Sequence, residues 1–267
     1  MKNQTRQAIS AFDLPQSALD RWNPSIRASE GGETTLNILG VIGEDYYADD
    51  GTPASKVSDF LAQAGGEDVV ININSPGGDF FDGLAIHSML KDYEGKVHVK
   101  ILGLAASAAS VIALAGDEIE IAKSGFYMIH NSWSLGIGNK HDMRAVADML
   151  DKFDASMKEL YMETTGLEAD EVVKMMDEET WLSSEGAIDM GFNFSVMGEE
   201  QIKEIDDEPN ALRETDMLLA KAGVTRNKRR KLLNSIKGTQ DAANPKQDAG
   251  PTDSDVLLSL LNSLKTK

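Results

Sequence analysis

An α/β fold built on a parallel sheet is what this 267-residue sequence predicts, on three observations. From Thr34 to Met197, strand-like apolar runs alternate with segments of helical spacing, the pattern that strand–helix–strand crossovers leave in a chain. Hydrophobic residues make up 41% of the chain, enough at this length to bury a sizeable core. The uncharged stretch at residues 101–116 is rich in Ala, Ser and Gly and too short to span a bilayer, so it belongs to a soluble core and not to a membrane.

The elements follow in order. Residues 1–33 are mixed and turn-rich (Pro15, Pro24, Gly31, Gly32) and predict a mobile or adapting N-terminal arm. Leu36, Ile38, Leu39, Val41 and Ile42 form a strand-like run, and Val57, Phe60 and Leu61 set a helical spacing over 54–64. A strand at 69–73, a helix at 83–93 with Leu84, Met89 and Leu90 inward, and a strand at 97–102 come next. A small-residue helix over 107–115 and strands at 119–121 and 126–129 complete the alternation. Met143, Val146, Ala147, Leu150, Phe153, Met157, Leu160 and Tyr161 recur at spacings of three and four, so one long helix covers 140–164. Short helices at 169–176 and from about 183 flank Trp181-Leu182, and the α/β body ends near Met197.

Beyond that point the composition shifts. Residues 211–238 carry eight basic residues against Glu214 and Asp216, a net +6, so the chain's total of −18 conceals −24 on everything else. The sequence thus predicts an acidic linker and a basic helical pair over 198–238. A Pro/Gly/Asp-rich linker with a short amphipathic helix over 239–267 completes a partly disordered helical tail.

Composition excludes several chemistries. With no cysteine there is no disulfide scaffold, thiol nucleophile or thiolate-bound metal. The acidic body argues against nucleic-acid contacts. Residues 1–10 carry Lys2 and Arg6 with no apolar region after them, so no secretory signal is expected and the location follows as cytoplasmic.

Two loops carry the chemistry. Asn74-Ser75-Pro76-Gly77-Gly78-Asp79 lies between a strand and a helix, and its paired glycines let backbone N–H groups approach a ligand closely. It is not a phosphate loop, since no Gly-Lys-Ser/Thr follows. In Gly103-Leu104-Ala105-Ala106-Ser107-Ala108-Ala109-Ser110 a serine meets a helix N-terminus, where backbone donors favour an oxyanion. A tightly packed small-residue helix explains the same run. A serine hydroxyl needs a base. Of four histidines, His87 lies within a helix, His98 alternates on a strand and His141 opens the long helix, whereas His130 ends a strand and enters a loop. For an orienting carboxylate, Glu179 before Thr180-Trp181-Leu182 competes with Asp177 and Glu178.

The motifs NSPGG, GLAASAAS, MIH and ETWLS, in this order over residues 35–197, resemble the Clp protease proteolytic subunit family, especially the Clp-type head maturation proteases of tailed phages. The resemblance implies a Clp/crotonase-like α/β fold of stacked ββα units over 34–197, with a projecting handle helix. It implies Ser107 as nucleophile and His130 as base. Glu179 stands where the family usually has aspartate. Gly78 and Ala108 would give the oxyanion N–H groups. An extended peptide would lie between Gly77-Asp79-Phe80-Phe81 on one side and Asn131-Ser132-Trp133 on the other, with the aromatic rings forming an apolar pocket. Ser132 replaces the family's usual proline.

The implied activity is that of a serine endopeptidase on protein or peptide substrates, without metal or organic cofactor. The implied assembly is a ring-shaped homo-oligomer, a heptamer or double ring, joined through the handle, where Met143, Met149 and Met157 suit a contact. The tail RETDMLLAKAGVTRNKRR resembles phage members, which implies cleavage of scaffold or capsid proteins in proheads. Three alternatives stand beside it. In a housekeeping Clp subunit an ATPase would feed substrate, but residues 1–33 do not resemble the family's axial loop and such a partner is not evident. A crotonase-like acyl-CoA enzyme rarely needs the elbow serine. A Ser–Lys peptidase would have to use Lys100 or Lys123, neither of which has a supporting motif.

Overall fold

The computed structural model describes residues 14–28, 32, 34–44, 51–134, 136–198, 202–204 and 232. Along them run α1 (Gln16–Arg21), β1 (Ile26–Ala28), β2 (Thr35–Ile38), α2 (Ala54–Ala64), β3 (Val69–Ser75), α3 (Phe80–Lys91), β4 (Val97–Ala106) and α4 (Ala108–Ala113). Then come β5 (Glu118–Ala122), β6 (Phe126–Ile129), α5 (Lys140–Thr165), α6 (Ala169–Asp177), β7 (Thr180–Ser183), α7 (Ser184–Asp189), β8 (Phe194–Met197) and β9 (Ile202–Glu204).

Seven strands form one sheet, in the order β2-β3-β4-β5-β8, and every pairing along that path is parallel. β4 is the organising strand, four residues longer at its C-terminal end than the apolar run predicts. Its first half pairs with β5 through His98–Ile101, and its second half leaves that edge to pair with β6 through Leu104–Ala106. β7 then closes antiparallel on β6, the one departure from an all-parallel sheet. The split brings the ends of β4 and β6, and so Ser107 and His130, side by side.

Local chemistry sets the boundaries. α3 starts three residues before its apolar periodicity because the Asp79 carboxylate caps it, accepting the Asp82 N–H at 2.9 Å. α5 opens with a capping box between Asn139 and Asp142 and stops at Gly166 in the left-handed region. It buries Val146, Met157 and Tyr161 only, a narrower stripe than its spacing suggests. Met157, expected on an exposed contact face, is in the core, while Met143 is exposed. Between helices and sheet, Ile71, Ile73, Ile101, Ile112 and Ile121 are fully buried, each contributing about 1.5–3 kcal/mol of transfer free energy.

Residues 14–28 are not a free arm. Trp22 is buried, its indole Nε1 donates to the Asn74 carbonyl at 2.9 Å, and Asn74 Nδ2 donates back to the Asn23 carbonyl at 2.7 Å. β1 pairs antiparallel with β9. Turn residues obscured this packing in the sequence, where one tryptophan and one alanine make too short an apolar run to register.

The chain divides into Met1–Glu214 and Thr215–Lys267. Of the second unit only Leu232, in helical conformation, is described. The expected acidic linker, basic helical pair, flexible linker and C-terminal helix lie outside the described residues, apart from β9 and Leu232. Among the described residues no helix is long and apolar enough to cross a membrane.

Candidate active site

Ser107 occupies the turn between β4 and α4 with φ 54° and ψ −127°. A non-glycine residue held there stores on the order of 1–3 kcal/mol, and surrounding structure has to enforce it. Small side chains make the enforcement possible: Ala105, Ala106, Ala108 and Ala109 are all buried around the turn. A buried hydroxyl chain adds to it. Ser110 Oγ donates to the Ser107 carbonyl at 2.6 Å and lies 2.8 Å from the Tyr161 hydroxyl of α5, while the Tyr127 hydroxyl donates to the Ser110 carbonyl at 2.8 Å. Burial pushes both phenols well up, so they remain neutral donors. No local pattern marks this chain of hydroxyls, because Ser110 and two tyrosines on distant elements share no spacing.

His130, at the end of β6, is 8% exposed and its Nε2 is 2.8 Å from Ser107 Oγ. Burial pulls its pKa below the ordinary 6.5, and the charge of Glu179 opposes that pull. The imidazole is therefore neutral at pH 7. For Nε2 to accept the serine proton, the ring's own proton has to sit on Nδ1.

The glycine loop faces the elbow. The Ile42 N–H donates to the Gly77 carbonyl at 2.8 Å and the Asp79 N–H donates to the Ile42 carbonyl at 3.0 Å. This parallel bridge directs the Gly78 N–H away from Ile42. Neither glycine tolerates a side chain: a Cβ on Gly77 would lie 2.6 Å from Ser107 Cβ, and one on Gly78 would lie 2.2 Å from the Ile42 carbonyl oxygen. With φ of 96° and 150°, both also adopt backbone that favours glycine. Gly78, Ser107, Ala108 and His130 line one small cleft of about 30 Å³, which Phe80, Trp133, Phe153 and Met157 also border. Such a site can bring a hydroxyl, a base and two backbone donors to one reacting carbonyl.

Glu179 follows α6 with φ 50°, and it and Ser107 are the only non-glycine residues with positive φ among the described residues. Its carboxylate accepts Trp181 Nε1 at 3.1 Å. Burial raises its pKa, but the polar groups of Ser17 and Trp181 and the fields of His130 and Arg21 together outweigh it, leaving the group below the ordinary carboxylate value and ionised. Among the described residues no hydrogen bond joins it to His130; the coupling is through space. The competing acids are engaged elsewhere. Asp177 accepts Asn131 Nδ2 at 2.7 Å, and Glu178 pairs with Lys174 across exposed α6.

One of the two expected substrate-binding segments departs from extended geometry. Asp79 caps α3, and Phe80 and Phe81 form its first turn, so no strand edge exists at 79–81. Phe80 instead stacks on Phe153 of α5 at 4.4 Å, and Phe81 stands edge-on to both rings and exposed. On the other side the Asn131 N–H donates to the Met176 carbonyl and the Ser132 N–H to the Asp154 carboxylate. Trp133 is half exposed beside the cleft. The remaining histidines are apart from the site: His87 is buried in α3, His98 bonds Glu118, and His141 is exposed at the start of α5. Lys100 pairs with Glu120 at 3.9 Å on the β4–β5 edge.

Comparison with known proteins points the same way. A protein-family model described as Clp protease matches residues 55–200. The chain is 32% identical over 125 residues to ATP-dependent Clp protease proteolytic subunit 2 of Treponema denticola, a match covering 46% of this chain and 62% of that subunit. It is 31% identical over 127 residues to subunit 3 of Rhodococcus jostii, again covering 46% and 62%, and 27% identical over 146 residues to the Streptococcus salivarius subunit, covering 53% and 74%. Among solved structures, a ClpP1 point mutant from Listeria monocytogenes superposes with a TM-score of 0.52 at 27% identity, over 62% of this chain and 92% of that one. The parallel sheet split at β4 and the family model, which spans more than half of the chain, lead to one assignment: the protein belongs to the Clp protease family.

Proposed function

We propose that the protein is a serine endopeptidase that cleaves protein substrates through an acyl-enzyme. One observation carries the reading: the 2.8 Å contact between Ser107 Oγ and the neutral, buried His130 at a strained strand–turn–helix elbow. Ser107 Oγ attacks the scissile carbonyl carbon as its proton passes to His130 Nε2. The C–N bond then breaks and His130 returns that proton to the leaving amine. A water, deprotonated by His130, hydrolyses the ester and restores Ser107. The N–H groups of Gly78 and Ala108 receive the oxyanion, and the ionised Glu179 stabilises the imidazolium. The peptide lies against Gly78, on the side facing away from Ile42, and against the segment Asn131-Ser132-Trp133.

The assembled form in this reading is a ring-shaped homo-oligomer, heptameric or a double ring. Exposed Ile137 and Met143 beside the start of α5 support an apolar contact there. For its biological role we favour cleavage of scaffold or capsid proteins in phage proheads in the host cytoplasm. The basic tail that follows the 34–197 body supports this choice. The named relatives, which are ATP-dependent Clp subunits, favour a second reading as an ATPase-fed housekeeping peptidase.

Fluorophosphonate labelling and hydrolysis of a fluorogenic peptide by the purified protein test the chemistry. Ser107→Ala is expected to remove both, and undiminished labelling overturns the assignment. Protein degradation measured with and without a Clp ATPase separates the two biological readings, since strict ATP dependence sinks the maturation role.

A further inference from the structure

α1 and Trp22 contribute to one apolar cluster in which Ala18 and Trp22 join Leu104, Ala106 and Met128, with Leu19 and Trp181 against them. Those partners are adjacent to the reacting groups in the chain. Ala106 precedes Ser107, Met128 stands two residues before His130, and Trp181 stands two residues after Glu179. The polar face of the same helix reaches the acid. The Arg21 guanidinium stacks 4.4 Å over the Trp181 ring, whose Nε1 donates to Glu179 at 3.1 Å, and its charge acts on that carboxylate electrostatically.

These contacts matter because Glu179 has no hydrogen bond to His130 among the described residues. A carboxylate at the end of a helix, half exposed and not anchored to the imidazole, turns away into solvent unless something else fixes it. Its stabilisation of the imidazolium falls with distance. Around it, Arg21 carries the opposite charge and His130 gains it on taking up a proton; Asp177 is held by Asn131 and Glu178 by Lys174.

We propose that α1 is a positioning clamp for the acid of the site: Trp181 holds the Glu179 carboxylate beside His130, and Arg21 and the apolar face of α1 lock Trp181 in place. The N-terminal segment is then part of the catalytic apparatus although it touches no reacting atom. This rests on the reading of Ser107, His130 and Glu179 given above.

The test is a double-mutant cycle on the full chain, using peptide hydrolysis and the rate of fluorophosphonate labelling across pH. Trp181→Phe is expected to lower kcat about 10-fold with KM unchanged, as for loss of a hydrogen bond to a charged group. It should also shift the acidic limb of kcat/KM to lower pH, because His130 loses part of the negative charge that favours its protonation. Arg21→Ala should give a smaller change in the same direction, and Arg21→Lys should restore it. In a Glu179→Ala background, neither Trp181→Phe nor Arg21→Ala should have a further effect. Full activity of Trp181→Phe, or an equal loss in the Glu179→Ala background, overturns the clamp, the latter by showing a merely structural role. Hydrolysis that survives Ser107→Ala instead overturns the underlying reading and the clamp with it.

Discussion

Ser107 sits in an elbow whose neighbours are backbone and small buried side chains, whereas Glu179 stands past the end of α6 with its carboxylate held by side chains from α1 and β7. The contrast extends to what fixes each geometry. At the elbow, sheet pairing, a glycine cradle and a hydroxyl chain from Tyr161 and Tyr127 leave almost no freedom. At Glu179, the Trp181 hydrogen bond and the charge of Arg21 determine where a mobile side chain rests. A site built this way has one half that fails only when the fold is damaged and one half that can be tuned.

The largest expected effect breaks the rigid half chemically without touching its frame. Ser107→Ala should abolish hydrolysis while leaving oligomer size and melting temperature within error, since the methyl of alanine fits wherever the serine Cβ does. A fall in melting temperature of several degrees would show that the hydroxyl carries structure as well as chemistry. Next in size, Gly78→Ala attacks the frame itself. Its Cβ would lie 2.2 Å from the Ile42 carbonyl and 2.8 Å from the Ile42 nitrogen, both backbone atoms that cannot swing aside. Denaturant unfolding should show a loss of about 2–3 kcal/mol, typical of overpacking, together with a loss of rate from the displaced N–H.

Glu179→Ala should cost about 10²- to 10³-fold in kcat, less than the ~10⁴-fold loss known where an acid bonds the imidazole directly. Asp177→Ala should cost far less, since its carboxylate is spent on Asn131. A reversal of that order would move the role of the acid from the tunable corner to the loop after β6.

What the sequence disclosed divides along the same line. The rigid half was legible because each of its parts is a local pattern: apolar runs gave β3, β4 and β6, paired glycines gave the cradle, and a serine amid alanines gave the elbow. His130 was singled out by its place at a strand end. The tunable half was not, because Ser17, Arg21 and Trp181 meet only through tertiary packing of a segment whose prolines suggested an arm. The substrate edge expected at 79–81 is helical for a local reason, the capping of α3 by Asp79, which starts the helix two residues after Gly78.

A smaller effect sharpens the comparison through pH. Burial holds His130 below 6.5 and the Glu179 charge pushes the other way, so Glu179→Gln should lower the imidazole pKa further and move the acidic limb of kcat/KM to lower pH. The stability consequence has the same sign. The unfolded chain binds the His130 proton at higher pH than the fold does, so this group's contribution is present above about 6.5 and is lost as pH falls through the lower folded value. Urea unfolding at several pH values should show that loss deepened in Glu179→Gln. An unmoved acidic limb would mean that Glu179 and His130 are not coupled.

The smallest effect concerns backbone alone. Glu179 adopts φ 50° directly after the α6 cap, a position where glycine costs nothing and any residue with a Cβ is strained by about 1 kcal/mol. Glu179→Gly and Glu179→Ala remove the same carboxylate and the same hydrogen bonds, so they should be equally impaired in catalysis. They should differ in stability, with the glycine variant more stable by a few tenths to about 1 kcal/mol after its greater unfolded-state entropy is counted. Equal catalysis with unequal stability would show that a strained residue is kept at this corner for its side chain. If the two variants unfold at the same denaturant concentration, the turn carries no strain, and the tunable half of the site is held by the clamp of side chains and nothing else.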